Sequence, residues 1–120
     1  MRPEEQGMGE KWGLMKARIY EWNEDKNLSN IKKHGLSFEI AMAVFDDPMV
    51  YEYYDKEHSG YDKNRLWEDR YIAIGCVNKV LFVVYSVKQK NKREVYRIIS
   101  ARKATIAEIN LYEDWCNAFL

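Results

Sequence analysis

Apolar and polar positions alternate from Ala17 to Trp22 between charged flanks, the two-residue period of a short strand. Asn23 then stands where a helix N-cap is wanted. Glu24 and Asp25 follow in the first turn, where their charge complements the helix dipole. The predicted helix runs to about Lys33, with Gly35 as its C′ residue. Ser37 caps a second helix, in which Phe38, Ala41, Met42 and Phe45 recur at i, i+3, i+4 and i+7 until Pro48 ends it. Met49–Tyr54 is rich in β-formers and reads as a strand. Asp55–Glu68 is polar with Gly60 in its middle, a long loop of the kind that often carries function in a compact domain. Three further strands are expected at Arg70–Val77, Val80–Val87 and Glu94–Ala101, joined by a turn at Asn78-Lys79 and by the basic run Lys88–Arg93. Thr105 and Glu108 form a capping box, and Ile106, Ile109, Tyr112, Cys116 and Phe119 carry a helical stripe to the end.

The order β-α-α-β-β-β-β-α, with consecutive strands on short turns, predicts an α+β fold: one antiparallel sheet with helices packed on it. Residues 17–120 are enough for a single domain with a modest core, and residues 1–16 are expected to be an extended or flexible leader. The leader lacks the apolar segment of a secretory signal, and no stretch approaches the ~20 apolar residues of a membrane span. Cys76 and Cys116 make neither a metal-ligand spacing nor a disulfide framework. They read as small buried hydrophobes in a reducing cytoplasm.

The chain is neutral overall, but its charge is not evenly spread. Residues 1–55 hold 7 basic and 11 acidic side chains, residues 56–105 hold 12 and 5, and residues 106–120 hold none and 3. A basic middle between acidic ends permits a phosphate-binding face, and equally permits a solvated basic loop. No glycine-rich nucleotide loop is present, and the two histidines, His34 and His58, lack metal-ligand spacing. Neither cysteine sits where a nucleophile is wanted. No metal and no cofactor is expected.

Four strings stand in order along the chain: Glu21-Trp22-Asn23-Glu24-Asp25-Lys26 with Asn30 and Lys33-His34-Gly35-Leu36-Ser37-Phe38-Glu39; Phe45-Asp46-Asp47-Pro48; Asp55, His58-Ser59, Glu68, Arg70 and Ile74-Gly75; and Arg97-Ile98-Ile99-Ser100-Ala101-Arg102-Lys103-Ala104 with Glu108 and Tyr112. In this order and spacing, from residue 18 to about 113, the chain resembles the BrnT-like toxins. The loop from His58 to Glu68 is a few residues longer than the family's usual connection, and Asn23 stands where the family usually has Asp.

The resemblance implies a RelE-like fold and a metal-free endoribonuclease that drives a ribose 2′-OH against the adjacent phosphate. It also implies a partner, a BrnA-like antitoxin with a DNA-binding ribbon-helix-helix fold. Such a reaction needs a proton acceptor, cationic donors on the phosphate oxygens and an acid for the leaving oxygen. Arg102, Arg97, Arg70, His58 and Glu68 are the catalytic candidates, and Lys33, His34, Lys103 and Tyr112 the RNA-binding ones.

Several have a structural alternative. Arg97 is either a phosphate ligand or the partner of Glu68 or Glu52, and Arg70 could simply pair with Glu68. His34 and Lys33 suit the C-terminal end of a helix dipole, and Tyr112 suits packing. A decayed toxin-like module surviving as an antitoxin-bound co-repressor, and an RNA-binding protein without cleavage, are the competing functions.

Overall fold

The computed structural model describes residues 18–119, so the expected leader at 1–16 lies outside the described residues. The elements run β1 (Ile19–Glu21), α1 (Glu24–His34), α2 (Phe38–Met42), a 3₁₀ turn (Ala43–Asp46), β2 (Tyr51–Tyr54), β3 (Gly60–Tyr61), β4 (Trp67–Glu68), β5 (Arg70–Val77), β6 (Lys79–Lys90), β7 (Arg93–Lys103) and α3 (Ile106–Asn117). Five strands form one sheet in the order β1-β7-β6-β5-β2, and β3 and β4 form a separate small hairpin. The fold is α+β, as expected.

The sheet is mixed rather than wholly antiparallel, because β1 lies parallel to β7 at the edge. Hairpin logic governs only strands that follow one another. The whole rest of the sheet separates β1 from β7, so no turn dictated its direction.

The caps form where the sequence places them. The Asn23 side chain accepts from Lys26 N–H, Ser37 Oγ accepts from Ile40 N–H, and Thr105 and Glu108 close a reciprocal capping box. Gly35 takes φ 72°, the left-handed conformation that ends α1 without a Cβ penalty. The second helix departs from expectation. Its last turn tightens to 3₁₀ before Pro48, so the period drops towards three and Val44 joins Phe38 and Ala41 in full burial. Val44 then presses on β5 at Gly75, where an added Cβ would meet Val44 Cγ1 at 2.8 Å.

Two stretches expected to be loop are partly strand. Asn91 and Lys92, with φ 51° and 65°, make a two-residue turn whose twist matches the flanking strands. The rest of the basic run therefore belongs to β6 and β7. Within 55–68, Gly60 pairs with Glu68 and Tyr61 with Trp67, and Asp62 Oδ1 closes the tip by accepting from Asn64 N–H and Leu66 N–H.

The sheet has two faces. On the first, Ala73, Leu81, Val83, Tyr85, Ile98 and Ala101 pack against Leu36, Phe38, Ala41 and Val44. At its edge, Glu52 is held by the Arg18 guanidinium at 3.2 Å and by the Tyr85 hydroxyl, and Arg18 lies over the Tyr96 ring at 4.4 Å.

The second face is covered only in part, by α3, whose Trp115 ring sits 5.0 Å from that of Tyr51. The predicted α3 stripe is therefore half-buried at Ile109, Tyr112 and Cys116 but open at Ile106 and Phe119. Cys76 is exposed and Cys116 half-buried, not the core residues the sequence suggests, because β5 places Cys76 on the thinly covered face.

Candidate active site

Strand register decides which charged side chains share the second face. Glu21 pairs with Arg97, Arg97 with Ser86, and Ser86 with Arg70, so these four stand in one row across β1, β7, β6 and β5. Two strand spacings separate the arginines, about 10 Å. Beyond Arg70 the row reaches the turn that follows β2. There Asp55 N–H donates to Arg70 C=O at 2.8 Å, and Ser59 Oγ accepts from Arg70 N–H at 2.8 Å. The same turn sets His58 Nδ1 2.8 Å from Asp55 Oδ2 while leaving the imidazole largely in solvent. With Nδ1–H donating to the carboxylate, Nε2 is left as a free acceptor.

The three candidate arginines differ in what remains of their donors. Arg70 gives Nε–H to Glu68 Oε1 at 3.1 Å, and Arg97 gives one terminal N–H to Glu21 Oε2 at 3.0 Å. Each pair uses one of five N–H donors and leaves most of the fork open. Neither carboxylate first considered for Arg97 is its partner: Glu68 serves Arg70, and Glu52 serves Arg18 on the opposite face.

Arg102 is spent differently. Both its terminal nitrogens bind the Glu108 carboxylate, at 2.8 and 2.9 Å, one also reaches Lys103 C=O, and the guanidinium lies 4.1 Å over the Phe82 ring. It also stands five residues up β7 from Arg97, beyond a bulge at Ile99, roughly 15 Å away.

The remaining candidates scatter. Lys33 and His34 are exposed at the end of α1, the helix whose Asn27 and Asn30 face the first-face core, so they do not meet the arginine row. Lys103 is exposed beyond Arg102. Tyr112 donates its hydroxyl to Asp47 Oδ2, which also accepts from Cys76 N–H. Burial and this bond push the Tyr112 phenol well above its ordinary range, and the bond ties α3 to the turn before β2.

Three members of the row and its surroundings went unnamed as site residues in the sequence. Ser86 is buried, and its Oγ has no hydrogen-bond partner among the described residues. Glu21 accepts from both Arg97 and Lys90, the latter at 2.8 Å. The Lys90 bond, reinforced by Arg97, holds the Glu21 carboxyl below its ordinary value. Asp55, quoted in the third string, orients the histidine. Two fixed turns would have revealed the row. A turn at Asn91-Lys92 sets Ser86 opposite Arg97, and a turn at Asn78 sets it opposite Arg70.

Glu108 is likewise held low, chiefly by Arg102. For Asp47, burial favours the neutral acid, but the bonds from Tyr112, Cys76 and Met49 outweigh it. These carboxyls therefore keep their charge to lower pH folded than unfolded. The stability they add is present above the ordinary values of 3.8 and 4.5 and is lost as pH falls below them. Urea midpoints should drop between pH 5 and about pH 3, and Glu108→Gln should flatten part of that slope. An unchanged slope in that variant would contradict the role given to the Arg102–Glu108 pair.

Arg70 and Arg97, each with most of its donors open, thus share one cross-strand row, and the turn bonded to the Arg70 backbone carries the His58–Asp55 pair. The chain belongs to the BrnT ribonuclease toxins: the family model described as "Ribonuclease toxin, BrnT, of type II toxin-antitoxin system" matches residues 22–108. RNA as substrate and an antitoxin as partner go with that membership. No curated protein matches the chain at a significant level. Among the described residues, no three His, Cys, Asp or Glu side chains gather as a metal site, and no helix is long and apolar enough to cross a membrane.

Proposed function

We propose that this chain is an endoribonuclease toxin that cleaves RNA by 2′-OH attack without a metal ion and is silenced by a small ribbon-helix-helix antitoxin. The observation that supports the mechanism is the cross-strand row, in which Arg70 and Arg97 keep most of their donors open and Arg70's backbone is bonded to the turn that carries His58. In this reading His58 Nε2 takes the 2′-OH proton, its tautomer fixed by Asp55. Arg70 and Arg97 meet the charge that grows on the phosphoryl oxygens. Glu68 and Glu21 position them, each through one hydrogen bond. Arg102 clamps the start of α3 to the sheet.

One observation favours a second reading. Every candidate arginine already has a carboxylate partner, which is also what a decayed module that only binds its antitoxin would show. Induced expression without antitoxin separates the two. The toxin is expected to halt bacterial growth and shorten cellular RNA, and co-expression of the antitoxin is expected to restore growth. Normal growth with soluble, folded protein would sink the ribonuclease reading and leave the binding module.

A further inference from the structure

A cleft of about 340 Å³ opens beside the arginine row, between the β3–β4 hairpin and β6. Asp62, Trp67, Glu68 and Asp69 line it from the hairpin side, and Ser86 and Lys88 from the sheet. Trp67 is 55 % exposed and Tyr61 74 %, an unusual outlay of aromatic surface on so small a hairpin. Neither ring is loose. The Trp67 indole N–H donates to Asp69 Oδ1 at 2.7 Å, and Tyr61 braces the ring edge-on at 5.1 Å. Tyr54 donates to the same Asp69 oxygen at 2.8 Å, which ties the hairpin back to β2. A rigid indole held partly in water, with Lys88 on the sheet side of the cleft and Arg70 bonded to Glu68 and paired with Ser86 on its lining, offers one surface for a base and another for its phosphate.

We propose that this cleft is a nucleotide subsite, in which one unpaired RNA base stacks on Trp67 while Lys88 and Arg70 face its phosphates. The inference deepens the ribonuclease reading and rests on it for the position of the cut. Stacking itself does not choose among bases, because every base has a π-face. The carboxylates supply the choice. Among the described residues, Asp69 Oδ2 and Glu68 Oε2 accept no hydrogen bond, and a carboxylate beside a stacked base accepts from an exocyclic amine. The subsite therefore takes cytosine in preference to uracil, whose carbonyl at the same position meets the carboxylates as a second acceptor.

Short single strands of 2′-deoxycytidine and 2′-deoxyuridine test this with the full chain, since they lack the nucleophilic hydroxyl and report binding without cleavage. The deoxycytidine strand is expected to quench tryptophan emission and to bind roughly 10-fold tighter than the deoxyuridine strand, the low end of base discrimination by a good polar contact. Trp67→Ala should weaken deoxycytidine binding roughly 10- to 100-fold, the range for losing one base–aromatic stack. Trp67→Phe should bind nearly as well as wild type while losing most of the quench, which separates stacking from damage to the hairpin.

Equal binding of the two strands, or a Trp67→Ala variant that binds like wild type, would overturn the subsite. RNA cleavage by wild type, followed alongside, keeps the two ideas apart. Cleavage with binding indifferent to Trp67 overturns the subsite alone. Selective binding that depends on Trp67, without cleavage, supports the subsite and overturns the ribonuclease reading.

Discussion

Arg70→Ala and Arg97→Ala are each expected to lower the single-turnover rate of RNA cleavage by roughly 10²–10³-fold, the cost of removing one preorganised donor from a growing oxyanion. Both side chains stand on the second face, two strands apart, with most of their donors open. Lysine at either position should restore only part of the rate, because it keeps the charge and loses the fork. Arg102→Ala is the contrast. Its donors are committed to Glu108 and Lys103 and its plane to Phe82, so the variant should melt lower yet cleave at nearly the wild-type rate. Melting curves on all three variants separate lost chemistry from lost fold. Were Arg102→Ala inactive while Arg70→Ala and Arg97→Ala cleaved normally, the catalytic patch would lie at the start of α3 instead.

Asn30→Ala should destabilise the fold by about 3 kcal/mol and lower the melting midpoint by roughly 10 °C. Strand β1 pairs with β7 only as far as Arg97, so among the described residues the β7 edge beyond it has no strand neighbour. The Asn30 side-chain amide takes over. It donates to Ala101 C=O at 2.8 Å and to Leu36 C=O at 2.9 Å, and accepts from Ala101 N–H at 3.2 Å. The site is buried, so alanine would leave three backbone groups without partners and out of reach of water. Asn30→Asp should be nearly as damaging, since it keeps the acceptor and loses both donors. A loss below ~0.5 kcal/mol, within the range of an ordinary surface substitution, would show that the edge is satisfied some other way. The helix pair α1–α2 would then not depend on this amide.

Caps and apolar periods made the helices legible. Asn23, Gly35, Ser37 and Thr105 each mark a boundary through a local bond or a local dihedral, and such features need no knowledge of the rest of the chain. Features set by distant partners were not legible in the same way. The direction of β1 and the 3₁₀ tightening that seats Val44 on Gly75 both depend on what packs against them; the β3–β4 hairpin is local but only two residues long on each side, too short for a period to show.

The site shows the same division. Arg70, Arg97, Glu68 and His58 were named from the sequence. The common row of Arg70 and Arg97, and the distance of Arg102 from it along β7, follow from strand register; Glu68 and His58 reach it through the hairpin and the turn after β2. Register hinges on Asn91-Lys92 being the whole of a turn within a six-residue basic run. Asn30 was quoted among the resembling strings without a role; the structure gives it the β7 edge.

The most direct measurement is the chemistry of the RNA ends. Antitoxin-free chain, incubated with a defined single-stranded RNA in excess EDTA, is expected to cut it and leave a 2′,3′-cyclic phosphate on one fragment and a 5′-hydroxyl on the other. That result would join the arginine row and His58 to attack by the neighbouring hydroxyl. Products with 5′-phosphates, formed only when Mg²⁺ is restored, would contradict it.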